Sequence, residues 1–403
     1  MRLVIIGNGV AGTTTARFVA EQDPSVEILV YSDENYLYYP RPRLIELVAG
    51  EISPEEIVAY PEEWYAKRGI RNFLGRPVTE IRPEAHQVVI TDGEVVSYDR
   101  LLIASGARAR IPPMPGSDKR GTYVLRTMAD ALTLRDQAEK VEHVVILGGG
   151  LLGLETARAL RAHGVDVTVV EILPHLLPRQ LDAVGGDLLQ SLIEKRGIHI
   201  ITGDTGDTIQ GNGGVESVRL ASGKVLPAGI VVISAGVQPN IDLPQKAGIA
   251  CKRGVIVDEH LHTSAQDIYA VGDVAEFDGR VWGIIPAALA QARVAASQIV
   301  GKDTLYHDIV PSTTLTVTGI EVTSMGPINA TGEGYRELRH MDADAGVYKK
   351  LVLQDGRIVG AILMNDRSDF GVISQLMTRQ IDVSARANEL LRDGFDLKSL
   401  LKT

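Results

Sequence analysis

The chain has 403 residues, which is too long for one ordinary hydrophobic core and predicts two or three domains. It carries 41 lysines and arginines against 51 acidic residues, and the resulting formal charge of −10 argues against nonspecific nucleic-acid binding. A single cysteine, Cys251, excludes an intramolecular disulfide and a multi-thiolate metal or iron–sulfur centre.

The sequence shows no pattern typical of a membrane segment or a metal centre. The N-terminal "MRLVIIGNGVAG" is apolar, but its glycines indicate a strand entering a turn rather than a signal peptide. No uninterrupted apolar run approaches the roughly 18 residues that a spanning helix needs. His260 and His262 have a spacing that could ligate a metal, but no third ligand is evident. We therefore expect a soluble, cytoplasmic protein that has no metal site and binds neither membranes nor nucleic acids.

The first predicted element is a buried strand that runs into a glycine-rich turn. Leu3 to Ile6 form an apolar run, and a helical pattern extends from Ala11 to Glu21. In such a turn the first glycine permits a tight bend, the second lets backbone approach a pyrophosphate, and the third allows a helix to pack closely on a strand. The helix N-terminus then presents free N–H groups to the phosphate charge. The predicted phosphate-binding residues are Gly7, Gly9, Val10, Ala11 and Gly12.

A second strand, "VEILVY", ends at acidic residues about twenty positions after the third glycine, where a ribose hydroxyl is usually bound. Ser32, Asp33 and Glu34 all lie at this strand end, and we favour Asp33 as the ribose acceptor. One glycine motif alone is weak evidence, but strand, glycines, helix, strand and acid in this order form a much stronger signal.

Two further strands end in pairs of small residues, at Ser105-Gly106 and Ala235-Gly236, which we interpret as crossings between domains. The second of them follows a repeat of the whole strand–turn–helix–strand unit in "EHVVILGGGLLGLETARALRAHGVDVTVVE". Its final Glu171 is placed to accept both ribose hydroxyls and would repel a 2′-phosphate, so NADH is favoured over NADPH. The alternative is that both turns are structural and bind no ligand. The predicted residues of this second site are Gly148, Gly150, Leu152, Gly153 and Glu171.

Later segments place more ligand-binding candidates beside the first turn. The strand in "TSAQDIYAVGDVAEF" ends at Gly272-Asp273, which is either a turn or a site where the carboxylate binds a ligand hydroxyl. "GIIPAALAQARVAASQIV" predicts a helix with Pro286 in its first turn. Near the C-terminus, Asp355-Gly356 joins two β runs and predicts a hairpin, followed by a helix from Asp369 to Gln380. The candidates for the first site from these and the crossing segments are Ala104, Ser105, Gly106, Gly236, Gly272, Asp273, Ala287 and Ala288.

The order of these motifs resembles the FAD/NAD(H)-dependent pyridine nucleotide-disulfide oxidoreductase superfamily, and within it the NADH:rubredoxin oxidoreductase and nitrite-reductase flavodomain branch. The resemblance rests on "VIIGNGVAG", "YYPRPRLIELVAG", "GGGLLGLETA", "TSAQDIYAVGDVAEF" and "AALAQARVAA" and covers nearly the whole chain. It implies an α/β fold with two Rossmann-like domains, three-layered as in glutathione reductase, and a small α+β C-terminal domain. The implied domains are a split FAD domain at 1–108 and 236–306, an NAD(H) domain at 109–235, and an interface-type domain at 307–403.

The resemblance also implies roles for the stretch "YYPRPRLIEL", where thiol-using relatives carry a cysteine nearby and this chain has none. Arg41 matches a cation that contacts FAD, and we expect the prolines at 40 and 42 to hold the segment extended around it, with Pro42 also contacting FAD. Related reductases pair a lysine with the glutamate that matches Glu155, but here Glu46 stands at the lysine position and Arg43 is a candidate replacement. Glu155, expected in a first helical turn, has either a catalytic role near the nicotinamide or an ordinary helical one.

The function implied is transfer of hydride from NADH to FAD and of electrons onward to a small one-electron carrier of the rubredoxin or ferredoxin type, without a redox cysteine. Cys251 is expected to be an inert core residue in a strand. The alternatives are an NADH oxidase that uses oxygen, an electron-input flavoprotein for a separate reductase, and a non-catalytic FAD/NAD redox sensor. The oligomeric state, monomer or homodimer, and the roles of Tyr36, Tyr38 and Tyr39 are left open.

Overall fold

The computed structural model describes residues 1–307, 313–330, 332–392 and 394–402. Its backbone divides into two compact units built from interleaved segments. Unit 1 contains Met1–Arg110, Arg126–Ala131 and Gly236–Ile309, and unit 2 contains Ile111–Leu125, Leu132–Ala235 and Val310–Thr403. The division into three domains stays a prediction, and the proposed third domain includes positions outside the described residues.

Both units combine strands and helices. The strands are β1 Arg2–Ile6, β2 Glu27–Tyr31, β3 Ile70–Phe73, β4 Val78–Arg82, β5 Gln87–Ile90, β6 Val95–Ser97, β7 Arg100–Ile103, β8 Ala107–Ala109, β9 Thr122–Tyr123, β10 His143–Leu147, β11 Asp166–Glu171, β12 Ile198–Thr202, β13 Gly206–Gln210, β14 Ser217–Leu220, β15 Val225–Pro227, β16 Ile230–Ile233, β17 Val237–Pro239, β18 Val255–Val257, β19 Ile268–Ala270, β20 Ala275–Phe277, β21 Thr313–Val317, β22 Ile320–Met325, β23 Tyr335–Asp342, β24 Val347–Gln354 and β25 Arg357–Met364. The helices are α1 Val10–Gln22, α2 Leu44–Val48, α3 Glu62–Ala66, α4 Met128–Ala138, α5 Leu151–Arg161, α6 Ala183–Glu194, α7 Asp242–Lys246, α8 Ile285–Ile299 and α9 Phe370–Thr378. Short 3-10 helices occur at Arg41–Arg43, Pro83–Ala85, Gly272–Val274, Ser384–Glu389 and Leu397–Lys402.

The same strand arrangement is repeated in the two units. Unit 1 has a parallel sheet of order β19-β7-β1-β2-β3, and unit 2 has one of order β9-β16-β10-β11-β12. The central strands are continuous apolar runs because both faces of a parallel sheet are covered. Each unit adds an antiparallel meander, β4-β5-β6 or β13-β14-β15. The predicted α/β class with two Rossmann-like sheets is therefore confirmed.

Unit 2 also contains the antiparallel sheet β21-β22-β25-β24-β23, on which α9 packs. The predicted hairpin is confirmed, since β24 and β25 pair across a two-residue turn. Asp355 has φ +48° and Gly356 has φ +76°, the two positive values that a tight hairpin turn of this type requires. Helix α8 also begins as predicted, with Pro286 in its first turn.

Three local expectations are wrong. The segment around Pro40 and Pro42 is extended only as far as Pro40, because a 3-10 turn that contains Pro42 begins at Arg41 and continues into α2; a proline with φ near −65° fits a first helical turn. Glu155 lies in the second turn of α5, since that helix begins at Leu151. Cys251 forms an isolated bridge with Val255 outside the strands.

Within the described ranges, no helix combines the length and apolar character needed to cross a membrane.

Candidate functional site

The first glycine turn joins β1 to α1, and two of its glycines are required by the protein's own packing. A Cβ on Gly7 would lie 2.3 Å from the carbonyl oxygen of Ala104, and one on Gly12 would lie 2.0 Å from the carbonyl oxygen of Gly7. Gly7 also has φ +102°, which side chains rarely adopt. These two glycines therefore bring β1, α1 and the end of β7 into close contact.

Gly9 in the same turn has a different environment. A Cβ built on Gly9 meets no atom within 4 Å, and its backbone angles, φ −67° and ψ −171°, suit any residue. Gly9 is the N-cap of α1 and provides no side chain to cap it, so the N–H groups of Val10 and Ala11 at the first turn have no side-chain acceptor from the cap. A bare helix N-terminus beside a glycine with room for a ligand fits a bound pyrophosphate.

The end of β2 brings the predicted ribose-binding residues beside this turn. Ser32 is buried and donates its hydroxyl hydrogen to Oδ1 of Asn8 over 3.0 Å, and the Asn8 amide donates to the carbonyl of Tyr36. Asp33 is exposed, whereas the Glu34 carboxylate accepts hydrogen bonds from Tyr39 and Arg41. Glu34 thus already has protein partners. The assignment of Asp33 to ribose stays a prediction.

A hydrogen-bonded network in unit 1 connects the acids at the ends of two strands. The Arg41 guanidinium pairs with Glu34 at 3.0 Å and donates to the carbonyl oxygen of Arg126. The Arg126 guanidinium pairs with Asp273 at 2.7 Å. Asp273, predicted to bind a ligand hydroxyl, is thus linked through two arginines to Glu34 near the predicted ribose site. Arg41 lies beside Glu34 and the backbone of Arg126, but its contact with FAD stays a prediction, as does that of Pro42 next to it.

Tyr39 contributes a buried hydroxyl to this network. Its oxygen accepts a hydrogen bond from the backbone N–H of Met128 over 3.0 Å and donates to Glu34. Burial, the largest cause, raises the pKa of Tyr39, and the hydrogen bond to Glu34 raises it further. The phenol donates a hydrogen bond to Glu34 and holds this carboxylate in place.

Arg126 is the main site residue that the sequence motifs did not predict. Its signal is the capping pattern Thr127-x-x-Asp130: Asp130 accepts the N–H groups of Arg126 and Thr127, and the Thr127 hydroxyl accepts the Asp130 N–H. The Arg126 side chain also donates to the carbonyl of Ala107 over 2.9 Å. This cap places one arginine in unit 1 although α4 continues largely in unit 2.

The predicted residues around Gly272 lie where α1 and α8 meet. Gly272 has φ +79°, and a Cβ on it would be 2.8 Å from the Cβ of Ala11. Its N–H donates to the side chain of Gln291, a buried residue that the motifs also did not predict. Ala287 and Ala288 are buried in the first turn of α8. The small residues thus allow the 3-10 turn that carries Asp273 to approach both helices.

The two crossing segments form a short antiparallel ribbon, β8 with β17, in unit 1. Ala104 follows β7 and donates its N–H to Ile6. Ser105 exchanges hydrogen bonds with Asn240, and Gly106 takes φ +64°. Gly236 at the start of the returning strand also has a positive φ and has open space around it. All predicted residues of the first site, from the glycine turn to α8, are therefore in one unit.

The second glycine turn, between β10 and α5 in unit 2, repeats the first in detail. A Cβ on Gly148 would be 2.2 Å from the carbonyl oxygen of Ser234, and one on Gly153 would be 2.0 Å from that of Gly148. Gly150 again has open space and caps the helix with φ −74° and ψ 176°. Leu152 in the first turn of α5 is exposed. This turn offers the same cradle for a pyrophosphate.

Glu171 at the end of β11 is buried, and both of its carboxylate oxygens are hydrogen bonded. One accepts the N–H of Gly149 over 2.7 Å and the other accepts that of Leu173 over 2.8 Å. A Cβ on Gly149 would lie 2.8 Å from the Cβ of Glu171, so glycine is needed there. The carboxylate is held against the glycine turn, where its free lone pairs could accept ribose hydroxyls.

Glu155 and Arg43 have local partners. The Glu155 carboxylate accepts hydrogen bonds from Arg158 over 3.2 Å and from the backbone N–H of Thr318. Arg43 pairs with Glu46 at 2.9 Å. Arg43 thus forms an ion pair with Glu46, the residue that stands at the position of the expected lysine. A catalytic role of Glu155 stays a prediction.

Comparison with known proteins identifies the fold family. Residues 1–298 match the family described as pyridine nucleotide-disulphide oxidoreductase, and residues 311–381 match the rubredoxin NAD+ reductase C-terminal domain. The chain belongs to the pyridine nucleotide-disulphide oxidoreductase family. The predicted resemblance is therefore confirmed.

Individual members of the family resemble the chain over almost all of its length. It is 34% identical to the NADH-rubredoxin oxidoreductase of Clostridium acetobutylicum, over 91% of this chain and 92% of that protein. It is 34% identical to the assimilatory nitrate reductase electron transfer subunit of Bacillus subtilis, over 97% of this chain and 51% of that protein. The chain spans about half the length of this and the nitrite reductase relatives. The crystal structure of a covalent putidaredoxin reductase–putidaredoxin complex matches with a TM-score of 0.86, 27% identity, and coverage of 100% of this chain and 98% of that one.

The family description names a disulphide, but this chain has too few cysteines to form one within itself. Cys251 is the only cysteine, so no intramolecular disulphide is available to relay electrons. Cys251 is half-buried, and burial raises the pKa of its thiol. A thiol with a raised pKa is a poor nucleophile at neutral pH.

Proposed function

We propose that the chain is an FAD-dependent oxidoreductase that takes hydride from NADH and passes electrons to a small one-electron carrier protein of the rubredoxin or ferredoxin type. The observation that carries the proposal is the paired glycine turn. Each unit has a parallel sheet, a bare helix N-terminus and a middle glycine, Gly9 or Gly150, with no protein atom within 4 Å of an added Cβ. Two such turns support two dinucleotides.

FAD is assigned to unit 1 because that unit holds the additional polar groups a flavin requires. The turn at Gly9 would bind the pyrophosphate, and Asp273 lies at a 3-10 turn that closely approaches α1. Arg126 supplies positive charge next to Asp273, and Arg41 supplies positive charge next to Glu34. When bound, FAD supplies a group that accepts two electrons from a nicotinamide and releases them singly. The first turn of α8 presents backbone N–H groups suited to an anionic oxygen.

NADH is assigned to unit 2. Gly150 and the N-terminus of α5 would bind its pyrophosphate, and Glu171 would accept the adenosine ribose hydroxyls. Leu152 and Ile172 are exposed apolar side chains at this site, Ile172 with 64% of its surface accessible. Such side chains suit contact with an adenine ring and provide no charge for a 2′-phosphate.

The carrier partner is proposed from the chemistry and from the relatives. A chain with one cysteine has no internal thiol relay, so electrons leave by another route. The names of the relatives include a reductase of rubredoxin and a reductase crystallised with putidaredoxin. The match to half of a nitrate reductase electron transfer subunit favours a second candidate, electron input to a larger reductase. We further propose a cytoplasmic protein, monomeric or homodimeric.

Stopped-flow spectroscopy of the purified protein tests the proposal. NADH is expected to bleach the visible absorbance of bound FAD on the stopped-flow time scale. A rubredoxin or ferredoxin is then expected to restore this absorbance faster than oxygen does. A protein that binds no FAD, or whose FAD is not bleached by NADH, would contradict the proposal. Reoxidation fastest by oxygen would identify an NADH oxidase instead.

The choice of NADH over NADPH predicts the effect of changing Glu171. Replacing Glu171 with serine and Ile172 with arginine removes the charge that repels a 2′-phosphate and adds one that binds it. A charge-assisted hydrogen bond is worth roughly 1.5–3 kcal/mol, so the ratio of kcat/KM for NADPH to that for NADH should rise roughly 10- to 100-fold. The matched control is Ile172→Arg alone, in which Glu171 still opposes the phosphate. A double variant with unchanged preference would show that Glu171 does not select the nucleotide.

A further inference from the structure

We propose that a polar cluster around the buried Asp182 and Lys350 in unit 2 positions the loop at residues 172–181 and thereby sets the affinity for NADH. The inference rests on the proposed function, because the loop begins directly after Glu171. The cluster, called here the Asp182 cluster, consists of Asp182, Glu337, Arg339, Tyr348 and Lys350.

The Asp182 cluster joins the C-terminal sheet to helix α6. The Lys350 ammonium group is 3.0 Å from the Asp182 carboxylate and 2.7 Å from that of Glu337, and only 1% of the Lys350 side chain is exposed. The Tyr348 hydroxyl donates to the same Asp182 oxygen over 2.8 Å. Arg339, on β23, approaches that oxygen at 3.4 Å. Three donors from β23 and β24 therefore converge on one carboxylate.

Asp182 directly follows the loop and is the N-cap of α6. Its other oxygen accepts the N–H of Gly185 over 3.0 Å. Burial acts to raise the pKa of Asp182, but the hydrogen bonds from Gly185, Lys350 and Tyr348 outweigh it, and the pKa lies below its ordinary value. The carboxylate stays charged, so the first turn of α6 is bound firmly to the C-terminal sheet.

Two helical glycines show how closely the neighbouring elements pack on this turn. A Cβ on Gly185 would be 3.2 Å from two ring carbons of Tyr348, and one on Gly186 would be 2.7 Å from Nδ1 of His175. Glycine is unfavourable inside a helix, so both positions need a reason. The reason is that the first turn of α6 lies between Tyr348 of the C-terminal sheet and His175 of the loop.

The loop is in turn fixed to the nucleotide site at its other end. The Leu173 N–H is bound by Glu171, and the buried Leu176 would be 2.9 Å from a Cβ on Gly149 in the glycine turn. Contacts therefore link Lys350 to Asp182, the first turn of α6 to His175 of the loop, and Leu173 of the loop to Glu171. A buried ion pair contributes little net stability compared with apolar residues of the same size, which favours a positional role for this one.

The test compares substitutions of two neighbouring lysines on β24. Lys350→Met removes ion pairs to Asp182 and Glu337, whereas Lys349→Met removes ion pairs to Asp366 and Asp369 within the C-terminal region. Adjacent residues of a strand point to opposite faces, so the control changes the same chemistry away from α6. The FAD content, the melting temperature, the Kd and KM for NADH and the kcat would be measured on holoprotein.

For Lys350→Met we expect about a tenfold rise in Kd and KM for NADH, in the range of coupling through packed side chains, with kcat at saturating NADH and FAD content unchanged. Lys349→Met should leave the Kd within about twofold. Because Lys350→Met removes one partner of a buried pair and can prevent folding, Tyr348→Phe is the second variant. It keeps the ring against Gly185 and loses only the hydroxyl, and should raise the Kd about threefold.

Unchanged NADH affinity in Lys350→Met or Tyr348→Phe would overturn the inference, and so would equal effects in Lys349→Met and Lys350→Met. Failure of the proposed function is seen separately, in the unaltered protein: if it binds no NADH, that proposal falls and this inference falls with it.

Discussion

Replacing Gly9 with alanine is expected to give a folded protein that no longer retains FAD. The polypeptide has room for the methyl group, because no protein atom lies within 4 Å of the position it would take and the backbone angles are those of an extended residue. A pyrophosphate that approaches this backbone has no such room. Loss of one charge-assisted hydrogen bond, about 1.5–3 kcal/mol, should weaken FAD binding roughly 10- to 100-fold.

The measurement is FAD content after purification, followed by the Kd for added FAD, with the melting temperature as a test of folding. Gly371→Ala is the matched control, since Gly371 also has no atom within 4 Å of an added Cβ and lies in α9. Gly12→Ala would not distinguish lost pyrophosphate binding from a disturbed fold as the cause of FAD loss. Its Cβ would be 2.0 Å from the carbonyl oxygen of Gly7 and would disturb the fold. Full FAD retention by Gly9→Ala would show that this turn does not hold the flavin pyrophosphate.

Replacing Gly150 with alanine should weaken NADH binding and leave FAD binding intact, which is the reverse of the effect expected for Gly9→Ala. Gly150 occupies the equivalent place before α5, with φ −74° and open space around it. We expect this variant to keep its FAD and its yellow colour but to bind NADH roughly 10- to 100-fold more weakly, since one charge-assisted hydrogen bond to the pyrophosphate is lost.

Stopped-flow reduction over a range of NADH concentrations would measure this effect as a higher half-saturating concentration. Gly9→Ala reconstituted with excess FAD is the comparison, and its NADH dependence should match that of the unaltered protein. If Gly150→Ala lost FAD instead, or if both variants lost both nucleotides, the assignment of one nucleotide to each turn would be wrong.

Several features were predictable from the sequence because they depend on local chemistry. The two glycine turns were predictable because only glycine lets the backbone approach its neighbours so closely. A Cβ added to Gly7 or to Gly148 would lie 2.3 Å or 2.2 Å from a backbone carbonyl oxygen. The hairpin follows from Asp355-Gly356, which tolerates two positive φ values. The start of α8 follows from Pro286. Each of these signals lies within a few residues of the structure it predicts.

Predictions of exact local conformation were less successful. A proline φ near −65° fits both an extended segment and a helical start, and the structure has an extended Pro40 followed by a helical start that contains Pro42. The sequence predicts Glu155 in the first turn of α5, whereas this residue lies in the second turn. Such boundaries depend on caps that neighbouring segments complete.

By itself the sequence determined the family, the two dinucleotide turns and the lack of a thiol relay, because all three depend on residue types at short spacings. Only the tertiary structure revealed the Arg126 bond to Asp273, 147 positions away, and the Lys350 bond to Asp182, 168 positions away. A charged side chain has many possible partners of opposite charge in a chain with 41 basic and 51 acidic residues. The fold selects among them, because burial makes an unpaired charge costly and brings only a few partners within hydrogen-bonding distance.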